Sequence, residues 1–310
     1  MILSVDFNPV IRKRIKIPYR RGHVGTVQPE RLDVFPGGEG IELSLMLGVM
    51  NEESIGMGFA GSYNGMAIRD FLNDSGIINE FVNIKEPTGE QLFINYSDDQ
   101  ELISEISPRV SKEEISEFIN AFKENLQSSE MVCISGTAPK NFPGEVYEEI
   151  ISIAKENGQK VLAGMKGHNA HHIANEKPYL LTLDVNTLEN MTHLKLEYDS
   201  EIFRATRYLR DKGIKYIVVE MGSKGAIVIT DEKGYRIELP HLNSGYCNIN
   251  YGYMLAGFST GILRGYDDET MLRLGIASSV IHCIRRSGEV DMSDIKSLMN
   301  KLEIRVLHDV

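Results

Sequence analysis

Cysteine is scarce in this chain. Only Cys133, Cys247 and Cys283 occur in 310 residues, odd in number and far from CxxC spacing. That excludes a disulfide framework as the basis of the fold and points to a reducing, cytoplasmic compartment. Each thiol reads as a small apolar residue rather than a nucleophile. No apolar run approaches the ~18 residues that a membrane span needs. The N-terminus, Met1-Ile2-Leu3-Ser4-Val5-Asp6, meets an acid at once and has no basic flank, so no signal peptide is expected. Basic surplus is absent as well: 33 Lys and Arg against 44 Asp and Glu give a net charge of −11. Nucleic acid is therefore an unexpected partner, because phosphate backbones are bound by a surplus of Lys and Arg. The run Arg12-Lys13-Arg14-Ile15-Lys16 is a local exception that alternates like the solvated face of a strand. No internal repeat or low-complexity linker divides the chain, so residues 1–310 are expected to form one domain.

What is present is 42% hydrophobic sequence in a regular rhythm, enough for a sizeable core. Alternating or short apolar runs predict strands at 2–7, 13–18, 26–35, 55–60, 79–85, 91–97, 100–106, 130–135, 160–163, 179–183, 216–220, 226–230 and 235–239. Spacing of three and four predicts helices at 40–50, 66–73, 143–157, 200–212, 252–264, 268–286 and 292–302. Ser111 with Glu114 forms a capping box that opens a further helix through Lys123. Repeated strand–helix units predict an α/β fold with a mostly parallel sheet covered on both faces. The strands near 13–35 and 91–106 fall outside that rhythm. They are expected to form a small separate sheet, a lid over the carboxyl ends of the main strands.

Four segments carry candidate chemistry. Gly37-Gly38-Glu39-Gly40 precedes a helix, where glycines permit close backbone approach and the helix N-terminus favours an anion; a plain tight turn is the alternative. Ser135-Gly136-Thr137-Ala138-Pro139 follows a buried strand, a usual ligand position in α/β sheets. Gly222-Ser223-Lys224-Gly225 joins two strands, either beside a nucleotide or as a simple turn. Asn248-Ile249-Asn250-Tyr251-Gly252-Tyr253 opens an apolar helix. His168, His171 and His172 place two imidazoles on one helical face, but without an HExxH pattern no metal site is expected.

The order of these pieces resembles the PfkB branch of the ribokinase-like carbohydrate kinases, nearest to 1-phosphofructokinases and tagatose-6-phosphate kinases. Asn8-Pro9, Gly37-Gly38-Glu39-Gly40-Ile41, Gly58-Phe59-Ala60-Gly61 with Asn64-Gly65, Ser135-Gly136-Thr137-Ala138-Pro139, Gly222-x-x-Gly225-Ala226 and Met254-Leu255-Ala256-Gly257-Phe258 resemble that family's signatures in order along nearly the whole chain. The resemblance implies a three-layer sandwich with a β-sheet lid, and transfer of the ATP γ-phosphate to a sugar-phosphate hydroxyl with Mg²⁺. It implies a sugar side at Asn8, Arg12, Gly37, Gly38, Glu39 and Glu42. It implies a nucleotide side at Asp184, Glu220, Gly222, Gly225, Asn250 and Gly252. A homodimer through the lid is one arrangement it suggests.

The departures from the family pattern are systematic. The Asp that should take the hydroxyl proton becomes Gly252, and the small residues of the Gly-Ala-Gly-Asp loop become Ile249 and Tyr251. The Asn-x-x-Glu metal motif becomes Asp184-Val185-Asn186-Thr187. On the sugar side an Asp becomes Arg12, a Lys becomes Glu39 and an Asn becomes Glu42, so Arg12 is expected to pair with Glu39 or Glu42. At ~5 Å and an effective dielectric of ~20, each misplaced charge costs on the order of 3 kcal/mol toward a sugar phosphate. The expectation is a homologue that has lost phosphotransferase activity and binds a small ligand, a sugar phosphate or a nucleotide, in a binding or regulatory role. The alternatives are an active kinase that relocates its base to Asp184, Glu39 or Glu42, and a structural subunit.

Overall fold

A computed structural model describes residues 1–22, 24–104, 107–240, 249–284 and 290–307. The first strand, β1 (Ile2–Asp6), is followed by β2 (Val10–Lys16), β3 (Arg31–Gly37), α1 (Glu39–Val49), β4 (Ser54–Gly61), α2 (Ser62–Asp74) and β5 (Ile78–Ile84). Then come β6 (Glu90–Asn95), β7 (Gln100–Ser104), α3 (Lys112–Leu126), β8 (Met131–Ser135), α4 (Glu145–Glu156), β9 (Lys160–Gly164) and α5 (Asn169–Asn175). The remainder is β10 (Leu180–Asp184), α6 (Val185–Thr192), α7 (Asp199–Asp211), β11 (Tyr216–Glu220), β12 (Ala226–Ile229), β13 (Gly234–Glu238), α8 (Tyr251–Leu263), α9 (Asp268–Ile284), α10 (Met292–Met299) and β14 (Glu303–Leu307).

The main sheet has the order β14-β13-β12-β11-β10-β9-β8-β1-β4-β5, parallel from β11 to β5 and antiparallel over its β11-to-β14 edge. Helices cover both faces, which is why β1 and β8 are buried at every residue. One layer of core gathers Phe7, Phe59, Phe118 and Tyr147, and the other gathers Leu43, Leu47, Met254 and Phe258. The second sheet, β3-β2-β6-β7, is the expected lid, two antiparallel hairpins joined by a parallel β2–β6 pairing.

Strand β3 begins at Arg31 rather than at 26, because Pro29 cannot donate to a ladder and Gly25 has φ +129°. Two elements were not foreseen. Helix α6 begins in the segment read as a degenerate motif, and β14 follows the stretch read as a helix over 292–302. The capping box at Ser111 and Glu114 is present. The three-cysteine reading needs one correction: Cys133 is free and fully buried, but Cys283 is disulfide-bonded. Cys247 and Asn248 lie outside the described residues. No described helix is long and apolar enough to cross a membrane.

Strand β1 lies between β8 and β4, so the chain leaves it toward both halves of the sheet. A crevice at the carboxyl ends of strands forms at such a reversal. Asp6, Asn8 and Ser135 stand at that point, under the lid strand β2.

Candidate functional site

The floor of the crevice is built around Asp6, the last residue of β1 and 1% exposed. Its Oδ2 accepts from the backbone nitrogens of Gly40 at 2.9 Å and Ile41 at 3.4 Å, and its Oδ1 from Asn8 N at 3.1 Å. A carboxylate therefore sits on the N-terminus of α1, where the helix dipole and free N–H groups favour an anion. The glycines serve this contact. Gly38 has φ +126°, and a Cβ there or on Gly40 would overlap Asp6 itself. The Gly37–Gly40 segment thus lets α1 close over the protein's own anion.

Burial pushes the Asp6 carboxyl up to about 7, against the three backbone donors that pull it down. A raised folded value means that ionisation disfavours the fold, so this contribution to stability is full near pH 4 and fades as pH rises through 7. Asp6→Asn removes that dependence. The difference in urea midpoint between variant and wild type is expected to move in favour of the variant from pH 4 to pH 8. A difference constant across that range would contradict the assignment.

Arg12 projects from β2 toward α1. Its Nη1 donates to Glu42 Oε1, its Nε donates to Gln91 Oε1 at 3.2 Å, and Asn250 Nδ2 donates to Glu42 Oε2 at 2.8 Å. The expected pairing falls on Glu42, and it ties the lid to the N-terminal turns of α1 and α8. Glu39 turns the other way. Its Oε2 accepts from Ser135 Oγ at 3.0 Å and Gly136 N at 3.1 Å, and burial raises its carboxyl above the usual range.

Helix α8 is capped by Asn250, whose Oδ1 accepts from Tyr253 N at 2.8 Å. Its second residue, Gly252, is wedged against α1: a Cβ would overlap the Glu39 carbonyl oxygen and lie 3.0 Å from Leu43 N. Tyr251 is fully buried. A Cβ on Gly164 would lie 3.0 Å from the Tyr251 Cβ, and Lys166 Nζ stands 4.5 Å from the ring centroid. Among the described residues the phenol oxygen has no hydrogen-bond partner, and burial, with Glu220, Asp184 and Glu39 nearby, raises its pKa well above the ordinary value. Tyr251 therefore stands between the Asp6–Glu39 end of the crevice and the carboxylates at the ends of β10 and β11.

Beyond it lies a cleft of about 320 Å³, lined by Asp184, Glu197, Asp199, Glu220, Gly222 and Lys224 among others. Asp184 Oδ1 caps α6 by accepting from Thr187 N at 2.7 Å, and Glu220 Oε2 accepts from Gly222 N at 2.8 Å. Burial raises the Glu220 carboxyl, and Lys166 Nζ is 3.9 Å from its Oε1. Gly225, at φ +92°, is required by the turn, since a Cβ would overlap the Ile237 carbonyl oxygen; Gly222 faces open space.

Asp184, Glu197, Asp199 and Glu220 share this cleft with Lys224, while Lys166 stands by Glu220 and Arg236 Nε donates to Asp199 Oδ2 at 3.0 Å. Among the described residues no group of three His, Cys, Asp or Glu side chains could hold a metal ion. His172 Nδ1 instead meets Glu148 Oε1 at 2.7 Å, joining α5 to α4.

The structure brings Asn8, Arg12, Gly37, Gly38, Glu39, Glu42, Asn250 and Gly252 together, and separately Asp184, Glu220, Gly222 and Gly225. Sequence reasoning missed Asp6 and Lys166. A charged residue closing a buried strand was the available signal for Asp6; a lone Lys in the loop after β9 gave little.

Comparison with known proteins bears on this geometry. Residues 8–243 match the model of the pfkB family carbohydrate kinases. A tagatose-6-phosphate kinase from Staphylococcus epidermidis is 24% identical over 98% of this chain and 99% of its own. A 1-phosphofructokinase from Bacillus subtilis is 26% identical over 90% of this chain and 91% of its own. The crystal structure of phosphofructokinase-2 from Escherichia coli with fructose-6-phosphate superposes with a TM-score of 0.84 at 18% identity, covering 96% of this chain and 98% of that one.

Proposed function

The chain belongs to the pfkB family of carbohydrate kinases, and from that premise we propose that it has lost phosphoryl transfer and acts as a ligand-binding or regulatory protein. The observation that carries this reading is the packing of Tyr251 and Gly252 at the start of α8. Gly252 has no group to accept a proton, and its Cα lies so close to the Glu39 carbonyl that no side chain fits. Tyr251 fills the gap beside Gly164 with an aromatic ring. Loss of a general base alone removes about 10²–10⁴-fold in rate, and loss of preorganised amides removes part of the larger electrostatic contribution. Kinases ordinarily turn over at about 1–100 s⁻¹. A coupled assay with ATP, Mg²⁺ and fructose 1-phosphate or tagatose 6-phosphate is expected to give below about 10⁻² s⁻¹. Turnover near 1 s⁻¹ or above would overturn the proposal.

One observation favours a second reading, an active sugar-phosphate kinase with a relocated base. Asp184 is engaged as a helix cap and Glu42 by Arg12 and Asn250, while Glu39 is half-buried with a raised carboxyl, as a base needs. The same assay, repeated on Glu39→Gln, separates the two: only the second reading has activity for that change to abolish. A homodimer through the lid also fits. Its edge strands β3 and β7 carry Leu32, Val34, Leu102 and Ile103 about half exposed. Light scattering at twice 34.8 kDa is the expected result, and a monomer mass would exclude it.

A further inference from the structure

A second cavity, of about 400 Å³, opens at the far end of the main sheet, where β1, β4 and β5 begin. The length of β1, roughly 15 Å, separates it from Asp6. Ser44, Ser54 and Ile77 line it as buried residues, and Glu52, Glu53 and Ile78 stand nearer its mouth. Gly48 keeps it open. This residue lies inside α1, where glycine is costly relative to alanine. Its φ is not positive, and a Cβ there would meet nothing within 4 Å. Neither backbone conformation nor packing calls for a glycine at 48, and its missing side chain leaves room in the cavity. Ser44, one turn earlier on the same helical face, also lines the cavity, and among the described residues its hydroxyl has no hydrogen-bond partner.

The potential at the mouth is negative. Helices α1 and α2 both end at the cavity, and neither has a basic residue in its last turn to offset the partial charge of its C-terminal carbonyls. Arg264 is already engaged: its Nε donates to Glu52 Oε1 at 2.8 Å and its Nη2 to the Met50 carbonyl. The Met1 ammonium donates to Glu130 Oε1 at 3.0 Å. Glu53 is exposed and has no cation within 4 Å among the described residues. We propose that this cavity binds a small alkylammonium ligand, its charge between Glu53 and the carbonyl ends of α1 and α2, its methylenes against Ile77 and Ile78. An ammonium brings three donors and a positive charge to a site rich in acceptors. The volume is that of a small-molecule site. An anion would face two helix C-termini and Glu53 together.

Thermal unfolding and calorimetry on the full chain test it, with 1,4-diaminobutane and butylamine as probes and 1,4-butanediol and succinate as controls. At least one amine at millimolar concentration is expected to raise the melting temperature by mass action, and the diol and the dianion are expected to do less. Glu53→Gln should weaken binding of the amine at least ten-fold. Gly48→Leu should fill the cavity, abolishing the heat of binding while the protein melts at or above the wild-type temperature. A glycine that the fold needs would instead lower the melting temperature when replaced, so this pair of readouts separates a binding role from a structural one. No shift with either amine, an equal shift with the diol or succinate, unchanged affinity in Glu53→Gln, or a Gly48→Leu protein that melts early or still binds would each overturn the proposal. Kinase turnover enters none of these readouts, so their failure leaves the proposed loss of activity standing.

Discussion

Gly252→Asp, which restores the residue type expected of a catalytic base, is expected to destabilise the protein by about 5 kcal/mol and to create no kinase. The cause is the contact between α8 and α1. Any Cβ at 252 overlaps the Glu39 carbonyl oxygen, which is backbone in the first turn of a packed helix and cannot swing aside. Overpacking of this kind costs about 1–3 kcal/mol, and a carboxylate placed beside buried Tyr251 adds a desolvation cost of several kcal/mol. With an unfolding entropy of ~2.1 cal/mol/K per residue, the loss corresponds to a fall of roughly 8 °C in melting temperature. Gly252→Ala separates the causes, since it carries the clash without the charge and should lose about 3 kcal/mol. A Gly252→Asp protein that melts with the wild type and phosphorylates a sugar near 1 s⁻¹ would show that α1 yields easily and that the rest of the site still supports transfer once a base is supplied.

That packing explains why part of the site was readable in sequence and part was not. Gly252, where the family resemblance leads one to expect a base, was visible as one residue, and so was the bulk at Ile249 and Tyr251. The pairing of Arg12 with Glu42 was also visible, because two sign changes of opposite sense in one pocket leave few arrangements that satisfy both charges. The choice of Glu42 over Glu39 was not, since it depends on which way each side chain leaves the first turn of α1.

The role of Asp6 was hidden for a similar reason. The glycines at 37–40 signal a close approach of backbone to an anion, and sequence alone does not say whether that anion is a ligand or a carboxylate three elements away. The strand–helix rhythm was legible because both faces of the main sheet are covered, which leaves long apolar runs. Helix α6 was missed because its first residues were read as a motif, and strand β14 because it is a mostly exposed strand at the sheet edge. Asp184, read as a metal-motif remnant, is the cap that starts α6.

Arg12→Met is expected to cost about 3 kcal/mol, and most of that cost should vanish when Glu42 is changed with it. Arg12 and Glu42 are 20% and 14% exposed, so the pair is largely but not wholly removed from water. Removing one partner of a buried pair typically costs 3–5 kcal/mol because the other charge remains desolvated; the residual exposure places this pair at the lower end. Glu42 would keep only the Asn250 bond. In Arg12→Met/Glu42→Met both charges leave together and the methionines pack beside Phe93, over whose ring the guanidinium sits at 6.0 Å. A double-mutant cycle should therefore report a coupling of about 2 kcal/mol. Because the pair spans lid and core, Arg12→Met alone should also speed hydrogen exchange in β2 more than in β1. Additive single changes, with no coupling and no selective loosening of β2, would mean that the lid is held by its apolar contacts and that Arg12 and Glu42 are neighbours without being a latch.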